Sequence, residues 1–306
     1  MDQILFPLEW AIAAVLVGFH TALTFLGMDE ASGWTWAAAI VGLVIVIRIL
    51  LIPLFVRQIK SSRAMQVISP DLRKIQDKYK GKKDAASREA MGRETMELYS
   101  KHGTSPFASC LPLLIQMPIF FALFRVLNNK LDGGIGLLTP ELASLADNST
   151  FLGAALSETF LATDSWNVRI VTIVLIIAMV STTFLTQRQL TRKNMPAAAL
   201  EGPMAQQQKV LLYVLPFVFV LSGPFFPIGV LIYWTTTNLW TMGQQFYVIR
   251  NNPTPGSEAE KAFLERKRAK DEAKGIVDTV EEVPAIEEAP QSRQRKQPQR
   301  KNRRKK

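Results

Sequence analysis

The sequence of 306 residues contains one cysteine, Cys110, and only two histidines, His20 and His102. A single thiol excludes an internal disulfide and any zinc site built from several cysteines, because each needs at least two. The sequence also lacks the HExxH, GxSxG, Walker and GxGxxG motifs that mark many hydrolases and nucleotide-binding enzymes. We therefore expect no cofactor and no metal, and we predict that the protein is not an enzyme.

Long apolar runs are the dominant feature of what is present. A helix that crosses the hydrocarbon core needs about 20 mostly apolar residues. Between the last two runs, the segment Gly223–Pro227 breaks any helix and leaves almost no loop, which predicts that these two helices are antiparallel neighbours. The sequence thus predicts an all-α polytopic membrane protein with a core of five transmembrane helices. The five runs are Trp34–Val56, Phe107–Leu127, Ile170–Gln187, Val210–Phe226 and Ile228–Tyr247.

The charges between the runs predict the orientation. Residues 57–104 carry 12 basic and 6 acidic side chains, and residues 188–209 carry four basic side chains and one acidic side chain. Residues 128–168 carry one basic and five acidic side chains, whereas residues 248–306 carry 16 and 10. Lys and Arg accumulate on the cytoplasmic side of membrane proteins. We therefore expect residues 128–168 outside and the other three segments in the cytoplasm, with an outside N-terminus and a cytoplasmic C-terminus.

Residues 1–33 contain a shorter apolar stretch, Ala11–Leu26. Nothing basic occurs before Arg48, which argues against a secretory signal peptide. The stretch either crosses the membrane or lies in its outer surface. We favour an interfacial helix, since acidic residues such as Glu9 are compatible with the outer side of the membrane.

The segment 57–104 is long for a connection and rich in helix-forming residues. Ser69-Pro70 has the pattern of an N-cap followed by a proline in the first turn, which predicts a helix start. A second helix is predicted from Ala85 to Lys101, with Gly103 just past its end. The segment is therefore expected to form a cytoplasmic helical hairpin.

The tail, residues 248–306, has hardly any large apolar residue after Leu264 and is expected to be mostly disordered, apart from a charged helix over Glu258–Lys274. Its last 16 residues carry nine basic side chains and no acidic one. Such a polycation would bind ribosomal RNA or anionic lipid, and the alternative is a solvated tail without a partner; we favour RNA. The nine basic residues are Arg293, Arg295, Lys296, Arg300, Lys301, Arg303, Arg304, Lys305 and Lys306.

Arg48 lies inside the first apolar run, nine residues before Arg57 and thus about 13 Å from the cytoplasmic end. A charge at such depth costs at least ~2.5–3.5 kcal/mol and usually faces a partner or a water-filled cavity. The alternative is an arginine that extends to the lipid headgroups, helped by a bend at Pro53. The other four runs contain no Asp or Glu. Water, lipid phosphate or a passing substrate would then supply the counter-charge.

Other polar residues within the runs are milder. They include Gln116, the segment Ser181–Thr186 and the segment Thr235–Asn238. They either form ordinary hydrogen bonds between helices or line a wetted groove around Arg48, and the sequence leaves both interpretations open.

Three segments resemble the YidC family of membrane protein insertases. They are Ile47–Leu54, Pro106–Phe120, and Pro227–Trp234 followed by Asn238. The resemblance covers roughly residues 34–250 and implies a bacterial plasma-membrane protein whose five-span core encloses a hydrophilic groove. The large external domain of Gram-negative members is not expected, which suggests a Gram-positive, actinobacterial type.

The resemblance also implies a function and a site. Arg48 takes the position of the family's groove arginine, which attracts acidic residues of the translocated segment. The implied function is to move short hydrophilic segments of nascent membrane proteins through the groove and to release their apolar helices into lipid. The ribosome, anionic lipid and a Sec translocon are the further partners expected. A transporter or channel with Arg48 in its pathway is the alternative. Trp234 stands where many members have a second tyrosine. The implied groove residues are Arg48, Gln116, Tyr233, Trp234 and Asn238.

Overall fold

A computed structural model describes residues 2–105, 111–128, 134–195 and 203–274. These residues form ten α-helices and one short antiparallel β-hairpin. The elements are α1 (Asp2–Phe25), α2 (Gly33–Leu50), α3 (Ile52–Lys78), α4 (Ala85–Lys101), α5 (Leu111–Leu127), α6 (Pro140–Asn148), β1 (Thr150–Phe151), β2 (Ala154–Ala155), α7 (Trp166–Asn194), α8 (Pro203–Ser222), α9 (Ile228–Asn251) and α10 (Glu258–Ala273).

Several of these helices have the length and hydropathy of membrane spans. In the described part of the chain, three segments qualify: Leu5–Phe25 of α1, Gly33–Leu50 and Trp166–Asn194. Leu114–Leu127 and Leu212–Phe225 are shorter apolar helices. The prediction of an all-α polytopic membrane protein is confirmed by this helical, apolar architecture.

The first apolar run contains a break in its helix. Helix α2 ends at Leu50, and α3 begins at Ile52 with Pro53 in its first turn. A proline inside a helix removes one backbone hydrogen bond and clashes with the preceding turn, so the break at Leu51 is expected there. Arg48 consequently lies in the last turn of α2, immediately before the break.

The predicted helix start at Ser69-Pro70 is wrong, because α3 runs through Pro70 without interruption. A proline in a helix interior costs about 3 kcal/mol. This cost is offset by tertiary packing, since Met65 and Ile68 of α3 are buried against Tyr99 of α4.

The second helix of the hairpin, Ala85–Lys101, is confirmed. Its N-cap is Asp84, whose carboxylate accepts a hydrogen bond from the backbone N–H of Ser87 at 2.8 Å. Gly103 follows with φ +60°, a left-handed conformation that glycine adopts without strain.

Helix α7 packs closely against both α8 and α9, whereas backbone contact between α8 and α9 is sparse. The last two spans, predicted to be antiparallel neighbours, meet through side chains, since Phe219 of α8 is buried in one cluster with Leu231 of α9. After the 3-10 turn Gly223–Phe225, residues Phe226 and Pro227 are extended and connect the two helices. Their side chains still meet, because the rings of Phe219 and Trp234 lie 5.0 Å apart.

The segment between α5 and α7 is tied to the first turns of two helices. The backbone N–H groups of Ile228 and Gly229 donate to the carbonyls of Glu158 and Leu156. Gly33, the first residue of α2, lies so close to the backbone of β1 that a Cβ atom there would collide with Thr150. These contacts fix the ends of α2 and α9 that lie away from the α3–α4 hairpin.

The compact unit extends to Phe263, and the described chain beyond it is the second half of α10. The helix expected over Glu258–Lys274 is confirmed by α10, which ends at Ala273. The nine basic residues of the tail and the predicted disorder lie outside the described residues, as do residues 106–110 of the second family-like segment.

Candidate functional site

Arg48 is 7% exposed, and the contacts that the described residues make with its guanidinium are neutral. Its Nη2 donates a hydrogen bond to the carbonyl oxygen of Thr237 in α9 at 3.3 Å, and its guanidinium lies 5.2 Å from the ring centre of Phe55. The Thr237 carbonyl is shared, because the hydroxyl of Thr241 also donates to it at 2.8 Å. Among the residues that the structure describes, no carboxylate pairs with Arg48.

Two further polar side chains lie beside Arg48. The amide Nε2 of Gln116 in α5 donates to the hydroxyl of Tyr233 in α9 at 2.9 Å, and Tyr233 is 2% exposed. Tyr233 and Thr237 are four residues apart and share one face of α9. Tyr233 is also close enough to Arg48 for an electrostatic interaction. The structure thus brings Arg48, Gln116 and Tyr233 together from three helices.

Trp234 lies elsewhere, because adjacent residues of a helix point in directions about 100° apart. Its ring packs among Phe120, Phe219 and Phe226 at centroid distances of 5.2, 5.0 and 5.5 Å. Aromatic contacts of this kind stabilise packing beyond their buried area. Trp234 therefore belongs to an aromatic cluster between α5, α8 and α9, and the structure does not bring it to Arg48.

Asn238 connects α9 to α7 through a hydrogen bond from its Nδ2 to the hydroxyl of Thr183 at 3.3 Å. The hydroxyls of Thr182 and Thr186 donate to carbonyls of their own helix at 2.7 Å each. For these residues the structure favours the interpretation as helix-packing hydrogen bonds. Thr235 differs, since its buried hydroxyl has no hydrogen-bond partner among the residues that the structure describes.

The sequence interpretation missed an ion pair at the far end of α5. The Nε of Arg125 lies 3.0 Å from Oε1 of Glu9 in α1. The side chain of Glu9 is buried, with only 2% of its surface exposed. The sequence contains a signal for this burial. Ile12, Ala13 and Leu16 follow Glu9 at the spacing of one helical face, and all three are buried.

Two cavities lie away from Arg48. One of about 30 Å³ is enclosed by α1, α2, α5 and the segment after α5, and could hold about one water molecule. A larger groove of about 200 Å³ lies between the β-hairpin and α7, lined by Phe151, Val171 and neighbouring apolar residues. Within the described ranges, no group of three or more His, Cys, Asp or Glu residues could hold a metal ion.

Comparison with known proteins identifies the family. Residues 27–255 match the family described as 60Kd inner membrane protein. A protein named membrane protein insertase YidC from Streptomyces avermitilis is 48% identical, over 85% of this chain and 60% of its own length. A protein of the same name from Tropheryma whipplei strain Twist is 40% identical, over 88% of this chain and 90% of its own length. Another from Bifidobacterium longum is 33% identical, over 99% of this chain and 95% of its own length. The chain thus spans 60% of the length of the Streptomyces relative and most of the other two. With three quarters of its residues matched, the chain belongs to the YidC family.

Proposed function

We propose that this protein inserts membrane proteins. In this proposal it receives short hydrophilic segments of nascent membrane proteins in a polar groove around Arg48 and releases their apolar helices into lipid. The family and the names of the relatives support the insertase activity. The observation that carries the groove is the environment of Arg48, a buried cation whose recorded partners are a neutral carbonyl and an aromatic ring.

Arg48 is suited to attract a carboxylate. A guanidinium has five N–H donors, and its hydrogen bonds to carboxylates are roughly twice as strong as those between neutral groups. The partial charge of the Thr237 carbonyl balances only part of the guanidinium charge. An acidic residue of a client segment would supply the remainder, and the buried position of Arg48 would strengthen this attraction relative to bulk water.

The proposal also accounts for the energy of translocation. A hydrophilic segment cannot cross dry hydrocarbon without partners for its backbone and charges. Gln116 and Tyr233 offer a donor and a hydroxyl next to Arg48. The outward transfer of a carboxylate is driven by a membrane potential that is negative inside, worth about 2.3 kcal/mol per charge per 100 mV. Insertion of the client's apolar helix adds the hydrophobic term.

We further propose that α1 lies on the outer surface and that the α3–α4 hairpin and the C-terminus are cytoplasmic. Three contacts of α1 support this placement. Glu9 pairs with Arg125 near the end of α5, Trp10 approaches Gly136 just beyond α5, and the ring of His20 stacks at 4.0 Å on Trp36 in the first turn of α2. All three lie in the halves of α2 and α5 opposite the hairpin, and Phe19 reaches Gly42 at the middle of α2, so α1 packs along that half of the bundle.

We propose that the nine basic residues of the tail bind ribosomal RNA, and that anionic lipid is a second anionic surface to which the tail binds. Binding of the tail to a ribosome would raise the local concentration of that ribosome near the groove. A Sec translocon is proposed only on the family resemblance.

The test is insertion of small single-span clients into liposomes that contain this protein and no other. Each client is made with acidic residues in its translocated segment and with Asn or Gln in their place. We expect Arg48→Ala to slow insertion of the acidic client by about tenfold relative to the neutral one, the effect of one charge-assisted hydrogen bond. Arg48→Lys should retain most activity, because the charge remains.

Arg57→Ala is the matched control, since Arg57 is an exposed arginine on the neighbouring helix α3. It should leave the ratio between the two clients unchanged. Equal losses for acidic and neutral clients in Arg48→Ala would show that Arg48 is structural, and would overturn the proposed groove.

A further inference from the structure

The β-hairpin and the first half of α7 enclose an apolar groove, the outer groove, with a volume of about 200 Å³. The groove is open to one side, because Ile170 and Val174 in its wall are more than half exposed. Its lining includes Phe151, Leu152, Asn167, Ile170, Val171 and Val174.

The open side of the outer groove continues the exposed apolar surface of α7. This helix has the length and hydropathy of a membrane span. Ile173 and Ile177 lie next to the groove residues Ile170 and Val174, and all four are between 47% and 59% exposed. An exposed apolar stripe on a spanning helix faces hydrocarbon. The groove therefore opens into the bilayer and, in the placement proposed above, into its outer leaflet.

Both walls of the outer groove are held in place by contacts of the β-hairpin. The ring of Phe151 packs edge-on against Trp34 of α2 at a centroid distance of 4.5 Å. Gly33 approaches β1 so closely that a Cβ atom there would collide with its backbone. On the other side, Nδ2 of Asn167 in α7 donates a hydrogen bond to the carbonyl oxygen of Gly153 at 3.4 Å. The hairpin is thus fixed to α2 and to α7, and the space between the walls is part of the folded structure.

The turn of the β-hairpin places a strained leucine beside the outer groove. Strand pairing leaves Leu152 and Gly153 as a two-residue loop, and their φ angles are +54° and +75°. Two-residue turns with two positive φ angles favour Asn-Gly, because most side chains clash with the backbone there. Leu152 nevertheless lines the groove and is 57% exposed. Turn geometry does not account for a leucine at this position, whereas an apolar contact of its side chain does.

The size and polarity of the outer groove match one hydrocarbon chain. An apolar cavity of about 150 Å³ can bind benzene, so about 200 Å³ holds a stretch of several methylene groups. A client helix, about 10–12 Å across with its side chains, is too wide to enter. Polar Asn167 comes first along the groove, and Val171 and Val174 follow about one and two turns deeper. Trp166, which is exposed beside Asn167, is typical of the lipid–water interface. This order of polar and apolar groups is that of a lipid.

We propose that the outer groove binds one acyl chain of a phospholipid, with Leu152 as part of its wall. Within a bilayer the chain is held by van der Waals packing between fixed walls, because lipid tails are as apolar as the groove. The chain fills a space in which water would lack polar partners. The bound lipid connects the segment between α5 and α7 to the bilayer. The inference needs only that α7 spans the membrane, and it does not rest on the proposed function.

The test is photolabelling of the whole protein in liposomes that contain a phospholipid with a diazirine in the middle of one acyl chain. Mass spectrometry of the digested protein then locates the label residue by residue. Ile173 is the reference, because it is adjacent to Val174, is similarly exposed and does not line the groove. We expect Val171 and Val174 to be labelled several times more than Ile173. Equal labelling of Val174 and Ile173, with little on the buried Val171, would indicate ordinary surrounding lipid and overturn the proposal.

Leu152→Asn is the decisive variant. Asparagine suits the turn better than leucine does, so the hairpin should still fold, but the apolar wall is lost. We expect the labelling of Val174 to fall to the level of Ile173. Leu161→Asn is the matched control, because Leu161 is a similarly exposed leucine of the segment between α5 and α7 that does not line the groove. It should leave the labelling ratio unchanged, and an unchanged ratio in Leu152→Asn or the same fall in both variants would contradict the proposal.

A second pair of variants fills the groove without changing the turn. Val174→Trp should abolish the labelling of Val171, because the larger ring occupies the space of the chain, whereas Ile173→Trp should not. Equal effects of the two substitutions would overturn the proposal.

The same assay distinguishes lipid from a client as the occupant. A client with a diazirine in its apolar helix is added to the liposomes in place of the reactive lipid. We expect it to leave Val171 and Val174 unlabelled. If the client labels both residues and lowers the lipid label there, the groove binds a client side chain and the assignment to lipid is wrong.

Discussion

Replacing Gly42 by alanine should loosen the packing of α1 on α2. A Cβ atom at residue 42 would lie 2.5 Å from Cδ1 and 2.7 Å from Cγ of Phe19. The ring cannot rotate away easily, because the contact includes its first atom. Overpacking of this kind costs about 1–3 kcal/mol. The same substitution gains about 1 kcal/mol of helix propensity, so we expect a net loss of up to about 2 kcal/mol in the free energy of unfolding.

Gly243 supplies the matched control within the chain. It is exposed in the interior of α9, and a Cβ atom there would meet nothing within 4 Å. Gly243→Ala should therefore stabilise the protein by about 1 kcal/mol through helix propensity alone. The two variants should differ by about 1–3 kcal/mol in the free energy of unfolding measured by SDS titration in mixed micelles.

A second substitution checks the cause. In a Phe19→Ala background, Gly42→Ala should lose most of its cost, because alanine lacks the Cγ and Cδ1 atoms that the new methyl group would meet. If Gly42→Ala stabilises the protein as much as Gly243→Ala does, α1 is not packed on α2 at this point, and the close approach of the two helices is refuted.

Two further predictions concern the α3–α4 hairpin and the tail. The carboxylate of Glu94 accepts hydrogen bonds from Lys78 and Tyr79 at 2.6 and 2.8 Å, and the hydrogen bond from Lys78 lowers its pKa first of all. A lowered pKa means that the contribution of Glu94 to the α3–α4 contact is present above about pH 4.3 and is lost as the pH falls through the folded-state value. Spin-label distances between α3 and α4 in the whole protein should thus be constant from about pH 8 to 5 and lengthen in stronger acid, less so in Glu94→Gln; the same acid response in both would contradict this. Deleting residues 291–306 should weaken co-sedimentation with translating ribosomes in detergent but leave post-translational insertion of short clients nearly intact, and undiminished ribosome binding would assign the contact to the hairpin or to residues 188–209.

Much of the architecture can be predicted from the sequence, because it depends on local properties. A run of about 20 apolar residues forms a helix wherever the backbone must satisfy its own hydrogen bonds. The bounds of α4 follow from the N-cap at Asp84 and the glycine after its end, which are contacts within a few residues. Arg48 stands out because a charge in an apolar run is costly whatever surrounds it.

The tertiary structure decided which faces meet. Spacing along a helix shows that Glu9 lies on the same face as buried residues, but not that Arg125, in another helix, supplies its counter-charge. The hydrogen bond from Gln116 to Tyr233 and the separation of Trp234 from Arg48 likewise depend on how α5 and α9 are rotated against each other.

The same limit explains the correction in the fold. Pro70 has the local pattern of a helix start, yet packing of α3 on Tyr99 of α4 keeps the helix continuous. The short link between α8 and α9 predicts that they are neighbours, but not that α7 packs against both of them. The sequence by itself determined which segments are helical and which of them are apolar, because those properties are local. Only the tertiary structure decided their partners, because the packing energy of a helix face depends on residues far away in the chain.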